Sequence, residues 1–480
     1  MKHSSNKSSL KGFANQKNQI IKDDETGSLS DKQFLFLLDD LATKREWTAL
    51  EQMCLISLKS TPFPHPVILN FLSRAYFEGK KYKLAETVIR DLLEMVTENN
   101  FPEDEIWRLK LNLTKCLYYQ KRSPEAIEII ESFPEERLNS NEILVEHALY
   151  YNAIGNVEKS WELLNRISNK EKYDAVAFNS AWFLFRQGKF KEAFGNIVRG
   201  ANIKVWGNED EIIKKAKVDK SKRWIFKEKV DIMAFYLEGG MGDEMVFLRY
   251  IQFLTPYANK IKIFCANKLV NLLKECGYQN VFTHADIATE KWDKYVPSMS
   301  SPYILELDDP KKDIIFPYLV REAQPVEEMN RIANGKKKIC IKWKGNPLFE
   351  HDQFREFPLD GLLKLDKFGQ LFSIQIEDNE ELPKNANVWD LSHIIDSWSD
   401  TYNVINESDL LVTSCSSVAH LAGVMGKKVI VLVPLVPYVI WSTDSQPWYP
   451  DNVTVVRQKE YGSWDSAFEE LYEKVEEILK

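Results

Sequence analysis

The sequence lacks the features that define several classes of protein. Its longest apolar run, residues 429–441, is too short to span a bilayer and is interrupted by Pro434 and Pro437. Gly and Pro number 19 each, which excludes a collagenous or low-complexity chain. Excess positive charge is also missing, because the formal net charge is -8 at pH 7, so a nucleic-acid partner is not expected. The length of 480 residues and the apolar fraction of 44% instead predict about three globular domains.

The cysteines and the N-terminal segment show none of the features of an exported protein. The six cysteines are scattered, with no C-x-x-C pair and no histidine at zinc spacing, so neither a disulfide framework nor a structural metal is predicted. Residues 1–33 are polar and lack the apolar core of a signal peptide, and they predict a disordered tail. A reducing, cytoplasmic location and no membrane span are therefore expected.

From residue 34 to 205 the sequence predicts paired helices joined by short turns, because apolar-periodic segments alternate with turns and β-branched runs are rare. After the turns a small residue recurs 36, 41, 34 and 33 residues apart, at Ala49, Ala85, Ala126, Ser160 and Ala193. A small side chain there lets two helices approach each other. Three turns carry a glycine, which ends a helix at low steric cost, namely Gly79, Gly155 and Gly188.

This pattern resembles tetratricopeptide repeats, whose period is about 34 residues. An unrelated helical bundle is the alternative, because the turns near Arg45 and Lys121 lack the glycine. Either arrangement is a stack of helices, and its concave face is a predicted docking site for a partner.

The chain changes character after residue 205. Residues 206–229 carry eight Lys or Arg between Lys214 and Lys229, and they predict a solvated linker rather than a phosphate-binding patch. Short β-rich segments then alternate with helices over residues 230–330 and again over residues 331–480. This alternation predicts two doubly wound, Rossmann-like halves, so the expected fold class of the whole chain is α + α/β. In such folds ligands bind at the carboxyl ends of the strands.

The turn LEGGMGDEMVFLRY is the first segment that could carry chemistry. A strand is predicted to end at Leu237, and Gly240 and Gly242 would let a ligand approach the backbone beside a helix N-terminus. Asp243 opens that helix, either as a reactive carboxylate or as an ordinary helix cap. The turn lacks the third glycine of the dinucleotide-binding fingerprint.

Two further segments carry polar residues at predicted strand ends. In TSCSSVAHLAGVMG a buried strand delivers Ser416 and Ser417 to a helix start, which is the geometry that seats a diphosphate on backbone N–H groups. His420 follows about one turn later and either reaches a ribose or phosphate or is a core histidine. In IKWKGNPLFEHDQFREFPL, Lys344 and Arg355 could neutralise a leaving phosphate.

Together these segments resemble the tetratricopeptide-repeat-linked glycosyltransferases of the GT-B fold, close to the family 9 (heptosyltransferase-like) group. The resemblance runs from Lys222 to the C-terminus and rests on GDEMVFLRY, WKGNP, DLSHIIDSWSDTYNVI and SSVAHLAGVMGKKVIVLVP, with WYP soon after. It implies a hexosyl- or heptosyltransferase whose donor is a nucleotide-sugar.

The resemblance implies that Asp243 is the catalytic base. The implied donor-binding residues are Gly240, Gly242, Lys344, Arg355, Ser416, Ser417 and His420. Of these, Arg355 would contact the diphosphate, and the two serines with His420 would form the phosphate and ribose site. The chain departs from the family pattern at Lys344, Glu356, Cys415 and Ser416, and Glu356 puts an anion near the expected diphosphate.

The residue types then predict a metal-independent inverting transfer, in which Asp243 takes the proton of an acceptor hydroxyl. No Asp-x-Asp pair, the usual metal-holding motif, occurs in the chain, so no cofactor is expected. The acceptor would be a peptide, protein or glycan held by the helical repeats. The alternative is a non-catalytic scaffold with a degenerate glycosyltransferase domain, which Cys415 and Glu356 favour.

Overall fold

The computed structural model describes residues 31–60, 65–99, 101–168, 172–225, 227–346, 352–376, 382–443 and 447–480. The chain divides into two compact units between Ile167 and Ser168. Positions 1–30 of the predicted tail lie outside the described residues, and a helix already begins at Asp31. None of the described helices is both long enough and apolar enough to cross a bilayer.

The first unit consists of helices that pair as antiparallel hairpins. Among its described residues the eight longer helices are Asp31–Lys44, Trp47–Ser60, Pro66–Glu78, Tyr82–Glu98, Glu103–Tyr119, Ser123–Glu131, Asn141–Ala153 and Val157–Asn165. A one-turn helix, Glu135–Leu138, separates the third pair from the fourth. A fifth pair, Asp174–Arg186 and Phe190–Ile197, belongs to the second unit.

All five hairpins turn in the same way. In each, a residue with positive φ stands two places before the second helix, at Arg45, Lys80, Lys121, Gly155 and Gly188. Its N–H and the next N–H bond back to the first helix, as in Lys80 to Phe77 at 3.0 Å and Lys81 to Tyr76 at 2.8 Å, which is the Schellman pattern. The predicted turn glycine Gly79 is therefore off by one position, because its own φ is -78° and Lys80 takes the left-handed conformation.

The residue that lets the two helices approach is the fourth of each second helix. Ala85, Ala126, Ser160 and Ala193 occupy this position and are buried, as predicted. In the first hairpin the position belongs to Leu50, which is buried, whereas the predicted Ala49 is only half-buried. The small-residue pattern thus starts with the second hairpin.

The second unit contains two parallel sheets. The first has the strand order β3-β2-β1-β4, with β1 Val230–Tyr236, β2 Ala258–Cys265, β3 Val281–Thr283 and β4 Lys294–Pro297. The second has the order β10-β9-β8-β5-β6-β7, with β5 Lys338–Lys342, β6 Gln370–Ser373, β7 Val388–Asp390, β8 Leu410–Ser414, β9 Val429–Val433 and β10 Val453–Arg457. Both orders reverse direction beside a central strand, which is the doubly wound arrangement that was predicted.

Helices connect and cover these strands. They are Met241–Phe247, Ile251–Leu254, Asn267–Glu275, Ser301–Ile304, Glu327–Ala333, Asp352–Arg355, Leu359–Leu363, Trp398–Glu407, Ser417–Met425 and Asp465–Leu479. Two of them follow strands next to the reversal points, namely Met241–Phe247 after β1 and Ser417–Met425 after β8. These are the positions at which open parallel sheets bind ligands.

The predicted linker, residues 206–229, is instead part of the second unit. It contains the helix Glu209–Ala216, and its apolar side chains Trp206, Ile212 and Trp224 are buried. The backbone N–H of Trp224 donates to the carbonyl of Tyr295, in β4, at 2.9 Å. This segment therefore has a buried apolar face beside its charged residues, and the number of charges does not reveal that face.

The fifth hairpin also packs on the rest of the second unit. The Trp182 indole N–H donates to the Pro437 carbonyl at 3.3 Å, and Arg186 donates to the carbonyls of Leu435 and Ser442, each at 3.2 Å. The Phe185 ring lies 6.0 Å, centroid to centroid, from that of Trp448. The hairpin thus covers the loop that follows β9.

We expect a fragment of residues 168–480 to unfold in one cooperative transition and a fragment that begins at Asp219 to be far less stable. The shorter fragment loses Phe185, Phe194 and Trp206, and removal of each buried aromatic side chain costs about 3 to 5 kcal/mol. Urea unfolding followed by near-ultraviolet circular dichroism measures the difference. Equal urea midpoints for the two fragments would contradict the packing described above.

Candidate functional site

Two turns from different sheets meet at one place. Gly242, in the helix after β1, lies so close to the helix after β8 that a Cβ added to it would stand 2.8 Å from His420 Cδ2 and 3.2 Å from Ser417 Cα. The carboxyl ends of β1 and β8 thereby bring two helix N-termini together. Free N–H groups and aligned dipoles at such termini attract an anion. Three predicted residues, Gly242, Ser417 and His420, are in direct proximity.

Asp243 stands at this junction and caps its own helix. Its Oδ2 accepts the Gly240 N–H at 2.8 Å, so the capping alternative is realised. The side chain nevertheless remains partly exposed. Its partial removal from water raises the pKa of Asp243, and a hydrogen bond from Tyr438 partly offsets this rise. A half-buried carboxylate with a raised pKa is suited to accept a proton.

Gly240 and its neighbour have separable roles. Gly239 has φ +85°, and a Cβ there would lie 2.6 Å from Asp243 Oδ2, so a side chain at 239 would displace the carboxylate. At Gly240 a Cβ would meet only that same oxygen, at 3.5 Å. Gly239 and Gly242 therefore permit the turn's close contacts, whereas Gly240 contributes its N–H group.

The helix start after β8 has hydroxyls that the described residues do not satisfy. Ser414 Oγ and Ser416 Oγ are buried and have no hydrogen-bond partner in the described part of the chain. Ser416 is the N-cap residue of Ser417–Met425, but its hydroxyl does not cap the helix. A buried hydroxyl without a partner costs about 1 to 3 kcal/mol, which a polar ligand at the helix N-terminus would recover.

His420 is a buried neutral imidazole. Its Nδ1 lies 2.7 Å from the Tyr449 hydroxyl, and its ring stacks on Trp441 with centroids 4.9 Å apart. Burial, together with the nearby charge of Arg249, lowers the pKa of His420 to about 3. His420 is therefore buried, as the core-histidine alternative predicts, but its ring also lies against the glycine turn.

The predicted cations lie farther along the second sheet. Arg355 is buried, and its guanidinium donates to the carbonyls of Cys415 at 3.3 Å and Asn346 at 3.1 Å, where Gly345 leaves room for it. It thus joins the loop after β5 to the serine turn. Glu356, in contrast, is exposed. Residues 347–351 of the same loop, which include the proline of the WKGNP motif, lie outside the described residues.

Lys344 follows β5 directly. Its backbone N–H donates to Gln375 Oε1 at 2.9 Å, which links the ends of β5 and β6. The side chain is half-buried at the carboxyl edge of the second sheet. Lys344 thus lies at the carboxyl edge of the second sheet, where the sequence predicts a ligand.

Two buried glutamates at the end of β1 did not stand out in the sequence as structural residues. Glu238 accepts the N–H groups of Asn208 at 2.6 Å and Met299 at 3.0 Å, and Glu244 accepts that of Ala266 at 2.8 Å. Burial raises the pKa of Glu238 to about 7 and that of Glu244 to about 8. Both carboxylates hold loops around the site, and nothing local in EGGMGDE distinguishes them from Asp243.

Sequence reasoning also missed the aromatic and cationic residues behind the site. Tyr438 comes from the loop after β9, and Trp441, Tyr449 and Arg249 pack around His420 or its hydrogen-bond partner. The available signal was the density of aromatic residues in VPYVIW and WYP directly after a buried strand. Their positions follow from contacts between segments distant in sequence.

An open cavity of about 600 Å³ lies elsewhere, at the amino end of β2. Its walls include Gln252, Ile261, Tyr278, Ile315 and Tyr318. Since ligands of parallel sheets bind at the carboxyl ends of strands, we place the candidate site at the meeting of the two turns and not in this cavity.

Neither a family profile nor a curated protein sequence matches the chain. Among solved structures it is similar to a family 9 glycosyl transferase from Veillonella parvula, with 11% identity and a TM-score of 0.36 over 53% of this chain and 99% of the other. It is also similar to an E. coli heptosyltransferase with ADP, with 10% identity and a TM-score of 0.33 over 52% of this chain and 99% of the other. A Thermobaculum terrenum O-GlcNAc transferase gives 11% and 0.34 over 94% of this chain and 93% of the other. Sequence identities and TM-scores this low assign the chain neither to a family nor to a reaction.

We expect Gly242→Ala to destabilise the protein by about 1 to 3 kcal/mol, because the new methyl group would overpack His420 and the Ser417 backbone. Gly240→Ala is the matched control, since its methyl group meets only Asp243 Oδ2 at 3.5 Å and its φ of -83° suits any residue. Chemical denaturation of both variants measures the effect. Equal stability of the two variants would show that the helices are not in contact at Gly242.

Proposed function

We propose that the chain is a metal-independent inverting glycosyltransferase that moves a sugar from a nucleotide-sugar to an acceptor hydroxyl. The observation that carries the proposal is the meeting of the Asp243 turn with the serine turn, where Ser416 Oγ is buried and without a partner among the described residues. One turn supplies a proton acceptor, and the other supplies N–H and hydroxyl donors for an anionic leaving group. Both are required for this reaction.

Asp243 is the base in this proposal. Of the acidic side chains at the end of β1, it alone is partly exposed, whereas Glu238 and Glu244 are buried and hold backbone N–H groups. Its carboxylate would take the proton of the acceptor hydroxyl as that oxygen attacks the anomeric carbon. The bond from that carbon to the diphosphate oxygen breaks on the opposite face, which inverts the configuration.

The leaving diphosphate would lie at the start of Ser417–Met425. The helix dipole stabilises negative charge there by up to about 2 kcal/mol in a partly buried geometry. Ser416 and Ser417 would add hydroxyl donors. Arg355, bonded to the Cys415 carbonyl, places a positive charge behind the same turn. Because dipole, hydroxyls and guanidinium together neutralise the diphosphate, the proposal needs no metal ion.

The first unit offers a surface for the acceptor. Helical hairpins stack into surfaces that bind extended chains, so we propose a peptide, protein or glycan acceptor held by the repeat-like first unit. We infer the tetratricopeptide character of that unit from the recurring turn and the buried small residues.

Ser416→Ala should weaken binding of a nucleoside diphosphate about tenfold while leaving the unliganded protein as stable as before, because the lost hydroxyl has no partner to forfeit. Ser408→Ala should show the opposite pattern, since the Ser408 hydroxyl donates to the Ile405 carbonyl at 2.7 Å within a helix end away from the site. Titration with UDP, GDP and ADP, read by calorimetry and thermal unfolding, compares the two variants.

A bound nucleoside diphosphate at a hundred times its dissociation constant should stabilise the wild-type protein by about 2.7 kcal/mol. No stabilisation by any nucleoside diphosphate or nucleotide-sugar would contradict the proposal. It would support the alternative of a scaffold with a degenerate site.

Asp243→Asn should keep its stability and its nucleotide affinity but lose at least about a hundredfold in transfer rate. The amide oxygen still accepts the Gly240 N–H, so the cap survives, whereas the amide cannot take a proton. The base acts deprotonated, and its pKa is raised, so wild-type transfer should decline with falling pH at a value above the ordinary aspartate pKa of about 3.9. Mass spectrometry of the glycosylated acceptor measures the rate.

Asp286→Asn is the matched control for this substitution. Asp286 makes the same kind of cap after β3, where its Oδ2 accepts the Thr283 N–H at 2.8 Å. Its transfer rate should equal that of the wild-type protein. Near wild-type transfer by Asp243→Asn would exclude Asp243 as the base.

A further inference from the structure

A positive charge is buried behind the candidate site without a negative partner. Arg249 is fully buried, and its electrostatic partners among the described residues are tyrosines rather than carboxylates. Its guanidinium donates instead to the carbonyls of Val246 at 2.8 Å, Pro310 at 3.5 Å and Trp448. A buried cation is costly unless its surroundings are arranged for it, so its retention here calls for a local reason.

Aromatic rings form the rest of its surroundings. The guanidinium carbon lies 5.1 Å from the ring centroid of Tyr449, and the rings of Phe316, Trp448 and Tyr318 lie at 5.2, 5.7 and 5.8 Å. Such contacts stabilise a desolvated cation, because the ring faces carry partial negative charge. Arg249 therefore holds Tyr449, the middle residue of the WYP segment, in place.

The position of Arg249 also decides which way the Tyr449 hydroxyl points. A guanidinium has donors and no acceptor, so the phenolic hydrogen cannot be given to it. The hydroxyl of Tyr449 accepts a hydrogen bond from Arg249 and lies 2.7 Å from His420 Nδ1. The hydroxyl thus donates to Nδ1, and a neutral imidazole that accepts at Nδ1 carries its hydrogen on Nε2.

The His420 ring cannot rotate away from this arrangement. One face stacks on Trp441, at an angle of 24° between the planes, and the Cδ2 edge packs against Gly242. Nε2 is bonded to Cδ2, so it lies on the side of the ring that meets the glycine turn. The N–H on Nε2 is then held near the start of Ser417–Met425.

We infer that Tyr449, held in place by Arg249, is a positioning residue that fixes His420 as the neutral tautomer with hydrogen on Nε2, so that the ring presents an N–H donor to a phosphate-bearing ligand. This inference deepens the proposed function and rests on it for the identity of the ligand. The tautomer itself is independent of any ligand.

Nitrogen-15 spectra of the full-length protein with labelled histidine test the inference directly. The chain has seven histidines, and His420→Gln identifies the signals of His420. At pH 7 the wild-type protein should show a protonated Nε2 and an unprotonated, hydrogen-bonded Nδ1. In Tyr449→Phe, which keeps the ring, Nδ1 loses its donor and both tautomers should be populated. A wild-type His420 with hydrogen on Nδ1, or a spectrum unchanged by Tyr449→Phe, would overturn the inference.

Tyr250→Phe is the matched control, because Tyr250 is also fully buried and its hydroxyl donates to the Pro310 carbonyl at 3.2 Å rather than to His420. Its His420 signals should match those of the wild-type protein. If the proposed function holds, Tyr449→Phe should also weaken UDP, GDP or ADP binding about fivefold to tenfold, and Tyr250→Phe should not. A protein with the Nε2 tautomer that binds no nucleoside diphosphate would support this inference and contradict the proposed function.

Discussion

The arrangement of the site depends on one steric constraint, the absence of a side chain at Gly242. The two parallel sheets each end a strand in a helix, and those helices touch because Gly242 has no Cβ to keep them apart. The contact sets the distance between Asp243 on one turn and Ser416, Ser417 and His420 on the other. A substitution at this point would therefore change every distance in the site at once, even where the substituted residue touches no ligand.

Buried polar groups around this contact fix the positions of the loops, and their removal from water costs free energy. Glu238 and Glu244 are removed from water to hold backbone N–H groups, and Arg249 is removed from water to hold three carbonyls. Groups of this kind add little net stability, but removing one partner leaves the other buried and unpaired. They specify one arrangement of the loops, and the site needs a single arrangement because its donors must converge on one ligand.

The sequence alone predicts structural features that have a local cause. The helical pairs, the doubly wound alternation and the glycine turn before Asp243 all follow from periodicity or turn chemistry within short segments, and each was predicted. Features with a distant cause were missed. The fifth hairpin looks like the other four in sequence, but its Trp182 and Phe185 contact Pro437 and Trp448, about 250 residues away, so the unit boundary lies at 167 and not near 205. The shift from Gly79 to Lys80 has a different origin, because the Schellman hydrogen bonds stabilise the turn enough for a lysine to adopt positive φ.

Asp243 illustrates why capping and catalysis need not exclude each other. The cap uses Oδ2, which accepts the Gly240 N–H and is thereby fixed in direction. The second oxygen is not needed for the cap, and a carboxylate fixed through one oxygen presents the other with little loss of side-chain entropy during a reaction. A cap by itself would favour a low pKa, since the helix N-terminus stabilises the anion, but burial outweighs that effect here and raises the pKa. The same environment that makes the carboxylate a rigid cap thus also makes it a stronger proton acceptor than an exposed aspartate.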